Sequence, residues 1–226
     1  MGKRVSKIFS FTNERRDYMT AKEAFDYAKK HGPSRKTREI CCEDAFFAFS
    51  YAEEIDKKSS EQTRLGACKD SQCAYFYAKY IDNCSREDTR KAACKNPYWA
   101  YRYAKDIDRG PYKITRKAVC KNIDLAFIYA RTIDNGPSNE TRKAACADPG
   151  STYLYAKEID RCPREDTREA VCKDSKYAYW YAMDVDKCPN EKTRDAACKN
   201  PEWAYWYAKD IDKKSRNDTR EATYSN

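Results

Sequence analysis

The chain has 226 residues, a formal net charge of +9 and twelve cysteines. No apolar run approaches the roughly 18 residues that a membrane-spanning helix requires, and the first residues lack the apolar stretch of a secretory signal. These features argue against a membrane or exported protein and predict a cytoplasmic one. Aliphatic residues are scarce beside 19 tyrosines, so we expect a core of aromatic rings packed against small side chains.

The dipeptide Thr-Arg recurs every 26 residues without drift. In the first seven units a cysteine follows the threonine by five residues, an alanine by fifteen and an aspartate by nineteen. Such self-similarity is the signature of a repeat architecture. We therefore predict an N-terminal basic segment or cap over residues 1–20 and a repeat array over residues 21–226. The threonines, which name the units below, are Thr37, Thr63, Thr89, Thr115, Thr141, Thr167, Thr193 and Thr219.

Two helix starts recur in each unit. Asp or Asn stands seven residues after the threonine, and Pro follows it in three units, which is typical of an N-cap and a first helical residue. Pro or Ser stands four residues before the threonine and predicts the other start, so each unit should hold helices of about ten and about thirteen residues, too short to fold alone. The predicted fold is an all-α solenoid of about eight αα-hairpins with atypical terminal caps. The N-cap candidates are Asp44, Asp70, Asn96, Asn122, Asp148, Asp174 and Asn200, and the prolines are Pro97, Pro149 and Pro201.

Arginine and aspartate recur eight residues apart across the loop between units. We interpret them as an arginine-aspartate ladder of partly buried ion pairs that sets the angle between hairpins. The alternative is that these charges are solvated at the loop ends. The first unit lacks the Ile-Asp pair, which would leave Arg38 without a local partner. The predicted pairs are Asp82/Arg90, Asp108/Arg116, Asp134/Arg142, Asp160/Arg168 and Asp186/Arg194.

The longer helix has a fixed face and a variable ridge. A helical wheel places Ala204 and Tyr207 on the buried face, whereas the residues thirteen after the threonine vary and those sixteen after are mostly basic. We expect Trp180 and Trp206 to form an exposed apolar pair rimmed by Lys187, Lys209 and Lys213, the alternative being that both pack onto neighbouring units. The candidate partner-binding residues are Phe76, Arg102, Ile128, Leu154, Trp180, Trp206, Lys79, Lys105, Arg131, Lys157 and Lys209.

The cysteines allow three interpretations. Neighbouring units are expected about 8–10 Å apart, too far for a disulfide, and Cys68 and Cys73 have no second ligand pair nearby for zinc. The favoured interpretation is that the periodic cysteines are small buried hydrophobic side chains. Because an active site is normally singular and these carboxylates repeat, the pattern predicts a non-enzymatic protein without metal or cofactor.

Two functions fit the ridge. A repeat scaffold with a variable surface predicts a protein-binding module. Basic side chains interleaved with aromatic ones are also typical of single-stranded nucleic-acid binding, although 45 basic and 36 acidic side chains nearly balance. Neither function requires a membrane, and the oligomeric state stays open.

The unit ACKNPEWAYWYAKDID resembles short Tyr-Ala-rich helical repeats found in uncharacterised open reading frames of bacteriophages and some bacteria. The resemblance covers about residues 21 to 224 and brings no functional residues with it. It implies a cytoplasmic factor that acts on a host or virion component.

Overall fold

The computed structural model describes residues 19–214 and residue 217, and every regular element in that part of the chain is helical. The chain divides into two compact units, Met1–Ala93 and Cys94–Asn226. Within each unit, helical hairpins pack against their neighbours in chain order, which is the α-solenoid architecture predicted from the repeat. Among the described residues, no helix is both long enough and apolar enough to cross a membrane.

The unit Met1–Ala93 begins its described helices with α1 and then alternates short and long helices. The long helices α3 and α5 each continue directly into a π-helical segment, Tyr51–Asp56 and Tyr77–Asp82. The α-helices are α1 Ala21–His31, α2 Arg35–Cys41, α3 Ala45–Ser50, α4 Glu61–Ala67, α5 Ser71–Phe76 and α6 Glu87–Ala93.

The unit Cys94–Asn226 repeats the same pattern. Four of its long helices end in π-helical segments, at Ala104–Asp108, Ala156–Asp160, Ala182–Asp186 and Tyr207–Asp212. The fifth, α9, keeps one π-type bond from the Asp134 N–H to the Tyr129 carbonyl at 3.0 Å. The α-helices are α7 Pro97–Tyr103, α8 Lys113–Val119, α9 Ile123–Thr132, α10 Asn139–Ala145, α11 Pro149–Tyr155, α12 Glu165–Val171, α13 Ser175–Tyr181, α14 Glu191–Ala197 and α15 Pro201–Trp206.

The predicted starts of the long helices are confirmed. In each described hairpin the Asp or Asn seven residues after the threonine accepts backbone N–H bonds of the first turn, and the three prolines occupy the first helical position. The predicted starts of the short helices are wrong by one residue. The N-cap lies three residues before the threonine, as at Ser60 and Ser138, and the short helices have seven residues rather than about ten.

Each π-helical segment is followed by a residue in the left-handed region, with φ between 51° and 55°. Asparagine tolerates this conformation better than most residues, and Asn83 and Asn135 use it, whereas Lys or Arg occupies the same place in the other hairpins. The π-helical segment and the left-handed residue end the long helix together. They turn the aspartate just before the left-handed residue back toward the short helix.

The core is built from tyrosine and alanine, as the composition predicts. The tyrosine fourteen residues after each threonine is fully buried, as are most of the repeated alanines. Its hydroxyl lies 2.7–3.0 Å from the equally buried threonine hydroxyl, which satisfies two polar groups inside the hairpin. The described pairs are Thr37–Tyr51, Thr63–Tyr77, Thr115–Tyr129, Thr141–Tyr155, Thr167–Tyr181 and Thr193–Tyr207.

Two predicted terminal features lie outside the described residues. Residues 1–18 of the predicted N-terminal segment and the TREATYSN end are both in this group. The first described helix begins at Ala21, where the Thr20 side chain and the Glu23 carboxylate cap each other's backbone N–H.

Candidate binding surface

The arginine-aspartate ladder exists, but its predicted register is wrong. Arginines do not pair with the aspartate eight residues earlier; they bind the aspartate eighteen residues later, in their own hairpin, with Nη2–Oδ1 distances of 2.6–2.7 Å. Arg116, for example, binds Asp134 rather than Asp108. The π-helical turn explains the difference, because it directs each aspartate back to the short helix that precedes it. The corrected pairs are Arg38–Asp56, Arg116–Asp134, Arg142–Asp160, Arg168–Asp186 and Arg194–Asp212.

This register corrects three further expectations. Arg38, expected to lack a local partner, makes two hydrogen bonds to Asp56. The ladder fixes the two helices of one hairpin rather than the angle between successive hairpins. The alternative of solvated charges also fails, since the Arg142 and Asp160 side chains are 5% and 0% exposed. Hydrogen bonds to Asp160 raise the pKa of the Arg142 guanidinium above its ordinary value.

The predicted pair of Arg90 with Asp82 is wrong for both residues. Arg90 does not bind Asp82; its Nη2 donates to the Ser85 hydroxyl at 2.5 Å, on the segment that leads into its own short helix. Asp82 in turn receives its contacts from residues other than Arg90. The physical reason is the same as in the other hairpins, because the π-helical turn points Asp82 back toward the short helix that precedes it.

Asp82 nevertheless lacks the close arginine partner that the aspartates of the five corrected pairs have. Its side chain is fully buried, accepts a hydrogen bond from Ser59, and lies 3.7 Å from Arg64 Nη1 and 3.4 Å from Arg86 Nε. Arg64 turns away and binds Asp88 at 2.7 Å. As a result, Asp82 Oδ2 accepts no hydrogen bond from any described residue.

The residue four before the threonine accounts for this exception. It is proline in each of the five pairs named above, whereas it is Ser59 in the hairpin of Asp82. The Ser59 hydroxyl lies 2.5 Å from one Asp82 oxygen and 3.3 Å from Arg64 Nη1, so it stands between the two charges. Ser85 likewise binds the arginine of its own hairpin, Arg90. Proline offers no side-chain hydroxyl and cannot do this.

The variable ridge lies on the outer side of the long helices. Ile128 and Leu154 are exposed by 38% and 45%, while Phe76 and Arg102 are half-buried. Below, the residues thirteen after the threonine in four consecutive hairpins, Ile128, Leu154, Trp180 and Trp206, are called the apolar row. Helix α11 packs against both α9 and α13, and α13 against α15, so the row crosses neighbouring hairpins.

The expectation that Trp180 and Trp206 form an exposed pair is wrong. The Trp180 ring centroid lies 5.6 Å from that of Tyr153 and 6.5 Å from that of Trp203, which belong to the preceding and following hairpins. Trp180 and Trp206 both pack against the buried cluster around Tyr207, so the alternative of packing onto neighbours holds. Both remain half-buried, and each carries a lysine over its ring: Lys176 and Lys209, both at 4.7 Å.

The basic residues of the ridge already contact acidic or aromatic side chains of the protein. Lys157 Nζ lies 2.8 Å from Asp184, and Arg131 Nη1 lies 3.5 Å from Glu158, in each case in the next hairpin. Hydrogen bonds to Asp184 and to the Tyr153 hydroxyl raise the pKa of the Lys157 ammonium. The remaining three lie on aromatic rings, Lys79 over Tyr75 and Tyr80, Lys105 over Tyr101, and Lys209 over Tyr205 and Trp206.

Sequence reasoning missed a second polar link between hairpins. The Tyr153 hydroxyl donates to Asp184, and the Tyr179 hydroxyl donates to Asp210 at 2.7 Å, each 31 residues apart. Burial raises the pKa of Tyr153 and, to about 12, that of Tyr179, so both phenols stay donors at neutral pH. Two features of the repeat indicate this link: an aromatic residue stands twelve residues after the threonine, and an acidic residue stands seventeen after it. Met183 and Tyr205, exposed by 50% and 52%, were also missed.

All twelve cysteines are free thiols. Cys41 and Cys94 are buried, while Cys84, Cys162 and Cys188 are exposed in the loops between hairpins. The other seven are half-buried, and burial raises the pKa of Cys120 and of Cys172 to about 11. Within the described part of the chain, no group of three or more histidine, cysteine or acidic side chains is placed to hold a metal ion.

The geometry is thus a fixed tyrosine-threonine and arginine-aspartate frame that presents a variable outer row. Comparisons of the chain with protein-family models, with curated proteins and with solved structures find no match.

Proposed function

We propose that this protein is a non-enzymatic helical-repeat scaffold that binds a protein partner through the apolar row. The observation that carries the proposal is the exposure of Ile128 and Leu154 at equivalent places in adjacent hairpins. Contiguous apolar side chains on an otherwise polar surface are typical of protein interaction sites. Met183 extends the apolar surface one turn beyond Trp180.

The same surface suits nucleic acid less well. A nucleic-acid groove needs cations that are available to phosphates, because phosphate contacts supply most of the non-specific affinity. Here Lys157 and Arg131 already face Asp184 and Glu158. Of the aromatic rings beside the row, Tyr153 and Tyr179 are buried and hydrogen-bonded and are not open stacking platforms, whereas Tyr205 is exposed.

A site-specific photo-cross-linker tests the proposal. A protein with the cross-linker at Leu154 should form a discrete adduct with a partner protein in extract of the native cells. Unlabelled natural chain should compete with that adduct, whereas the unlabelled Leu154→Asp variant should compete poorly. The matched control is Leu65, which is 52% exposed on α4 and lies outside the row. Equal adducts from both positions, or an adduct with nucleic acid that disappears with rising salt, would contradict the proposal.

A further inference from the structure

A cleft of about 340 Å³ is lined by residues that follow Ile128 in one hairpin and Leu154 in the next. Its lining residues include Arg131 and Arg161, with Glu158 between them in sequence, and the apolar, buried Ile159. Arg131 follows Ile128 by three residues and Glu158 follows Leu154 by four, spacings that place each pair on one helix face. The cleft therefore continues the apolar row rather than forming a separate surface.

The guanidinium groups of Arg131 and Arg161 make few contacts within the protein. Arg131 makes one 3.5 Å contact with Glu158, and the two side chains are 63% and 43% exposed, a setting in which an ion pair contributes little. Arg161 donates its Nε–H to the Glu158 carbonyl at 3.1 Å, and no described residue pairs with its terminal nitrogens. Two arginines against one glutamate leave the cleft with a net positive charge, and guanidinium donors bind carboxylates with two parallel bonds.

We propose that this cleft binds a carboxylate side chain of the partner, so that the partner's docking segment carries Asp or Glu beside the apolar residues that cover Ile128 and Leu154. The inference rests on the proposed protein-binding function and names the chemistry of the partner segment.

The experiment is selection of random peptides displayed on phage against the intact protein, followed by affinity measurement on single variants. Arg161→Asn removes the guanidinium and keeps a residue that occupies the same left-handed position at Asn83 and Asn135. Arg109→Asn makes the identical change in an earlier hairpin and is the matched control. Selected peptides should contain an acid next to apolar residues, and Arg161→Asn should weaken them by about tenfold or more, as expected for loss of a charge-assisted pair, whereas Arg109→Asn should not.

The two proposals fail in different ways. Peptides that depend on Leu154 but lack acids, or that bind Arg161→Asn as well as the natural chain, would overturn the carboxylate cleft and leave the scaffold function standing. Peptides that bind equally well to Leu154→Asp, or a selection that yields no binder, would count against the scaffold function itself.

Discussion

Replacing Arg142 by Met tests whether the arginine-aspartate ladder stabilises the fold. Arg142 holds Asp160 with bonds of 2.7, 2.9 and 3.0 Å, and the two side chains are 5% and 0% exposed. Methionine fills a similar length but leaves the Asp160 carboxylate buried without its partner. Breaking a pair of this kind costs about 3–5 kcal/mol, which for a chain of this size corresponds to a melting temperature lower by about 6–20 °C.

Urea unfolding followed by circular dichroism gives the free energy, and Arg131→Met is the control. Arg131 is 63% exposed and its ion pair should contribute at most about 1 kcal/mol. The double variant Arg142→Met/Asp160→Leu should recover most of the loss, because both charges then leave the interior together. If Arg142→Met and Arg131→Met lowered stability equally, or if the double variant were no better than the single one, the ladder would not be a stabilising element.

Three further outcomes are expected. Ser59→Pro should stabilise the chain by about 0.4–1 kcal/mol in urea unfolding, because proline stiffens the unfolded chain and removes the hydroxyl that separates the ion pair of that hairpin; a loss of stability would contradict this. Tyr155→Phe should cost about 1–3 kcal/mol by orphaning buried groups, whereas Tyr205→Phe at the surface should cost almost nothing, and equal effects would refute it. At about pH 8 the Cys172 thiol, with its raised pKa, should react with a thiol reagent at least about tenfold more slowly than the exposed thiols. Its reaction rate should increase as the pH rises toward 11, because the thiolate is the nucleophile. Fast reaction at every thiol would contradict this. The exposed thiols are Cys84, Cys162 and Cys188.

The helical hairpins could be predicted because their causes are local. An Asp or Asn followed by a helical pattern is enough to place an N-cap, and Asn200 followed by Pro201 does so in the structure. The buried tyrosine was equally accessible, because it recurs on the alanine face of each long helix. Both inferences depend on residues only a few positions apart.

The pairing of the ladder could not be obtained in this way. From Arg64 to Arg194, the arginine after each threonine, such as Arg142, has one aspartate eight residues before it and another eighteen after it, and sequence spacing favours the nearer one. The π-helical turn reverses the choice, yet nothing in the periodicity signals it, since a helical wheel assumes the α-helical repeat throughout. The wheel also treats a helix alone, so it could not show that Tyr153 and Trp203 reach Trp180 from adjacent hairpins.

Both polar contacts that join the helices of a hairpin form within one 26-residue stretch. The arginine binds an aspartate eighteen residues later, and the threonine hydroxyl bonds to a tyrosine hydroxyl fourteen residues later. A gene segment that encodes one such stretch can therefore be copied or lost without separating either pair of partners. Unequal recombination between repeats would then lengthen or shorten the molecule by whole hairpins. Each added hairpin would contain its own arginine-aspartate and threonine-tyrosine contacts and one more variable residue on the outer ridge.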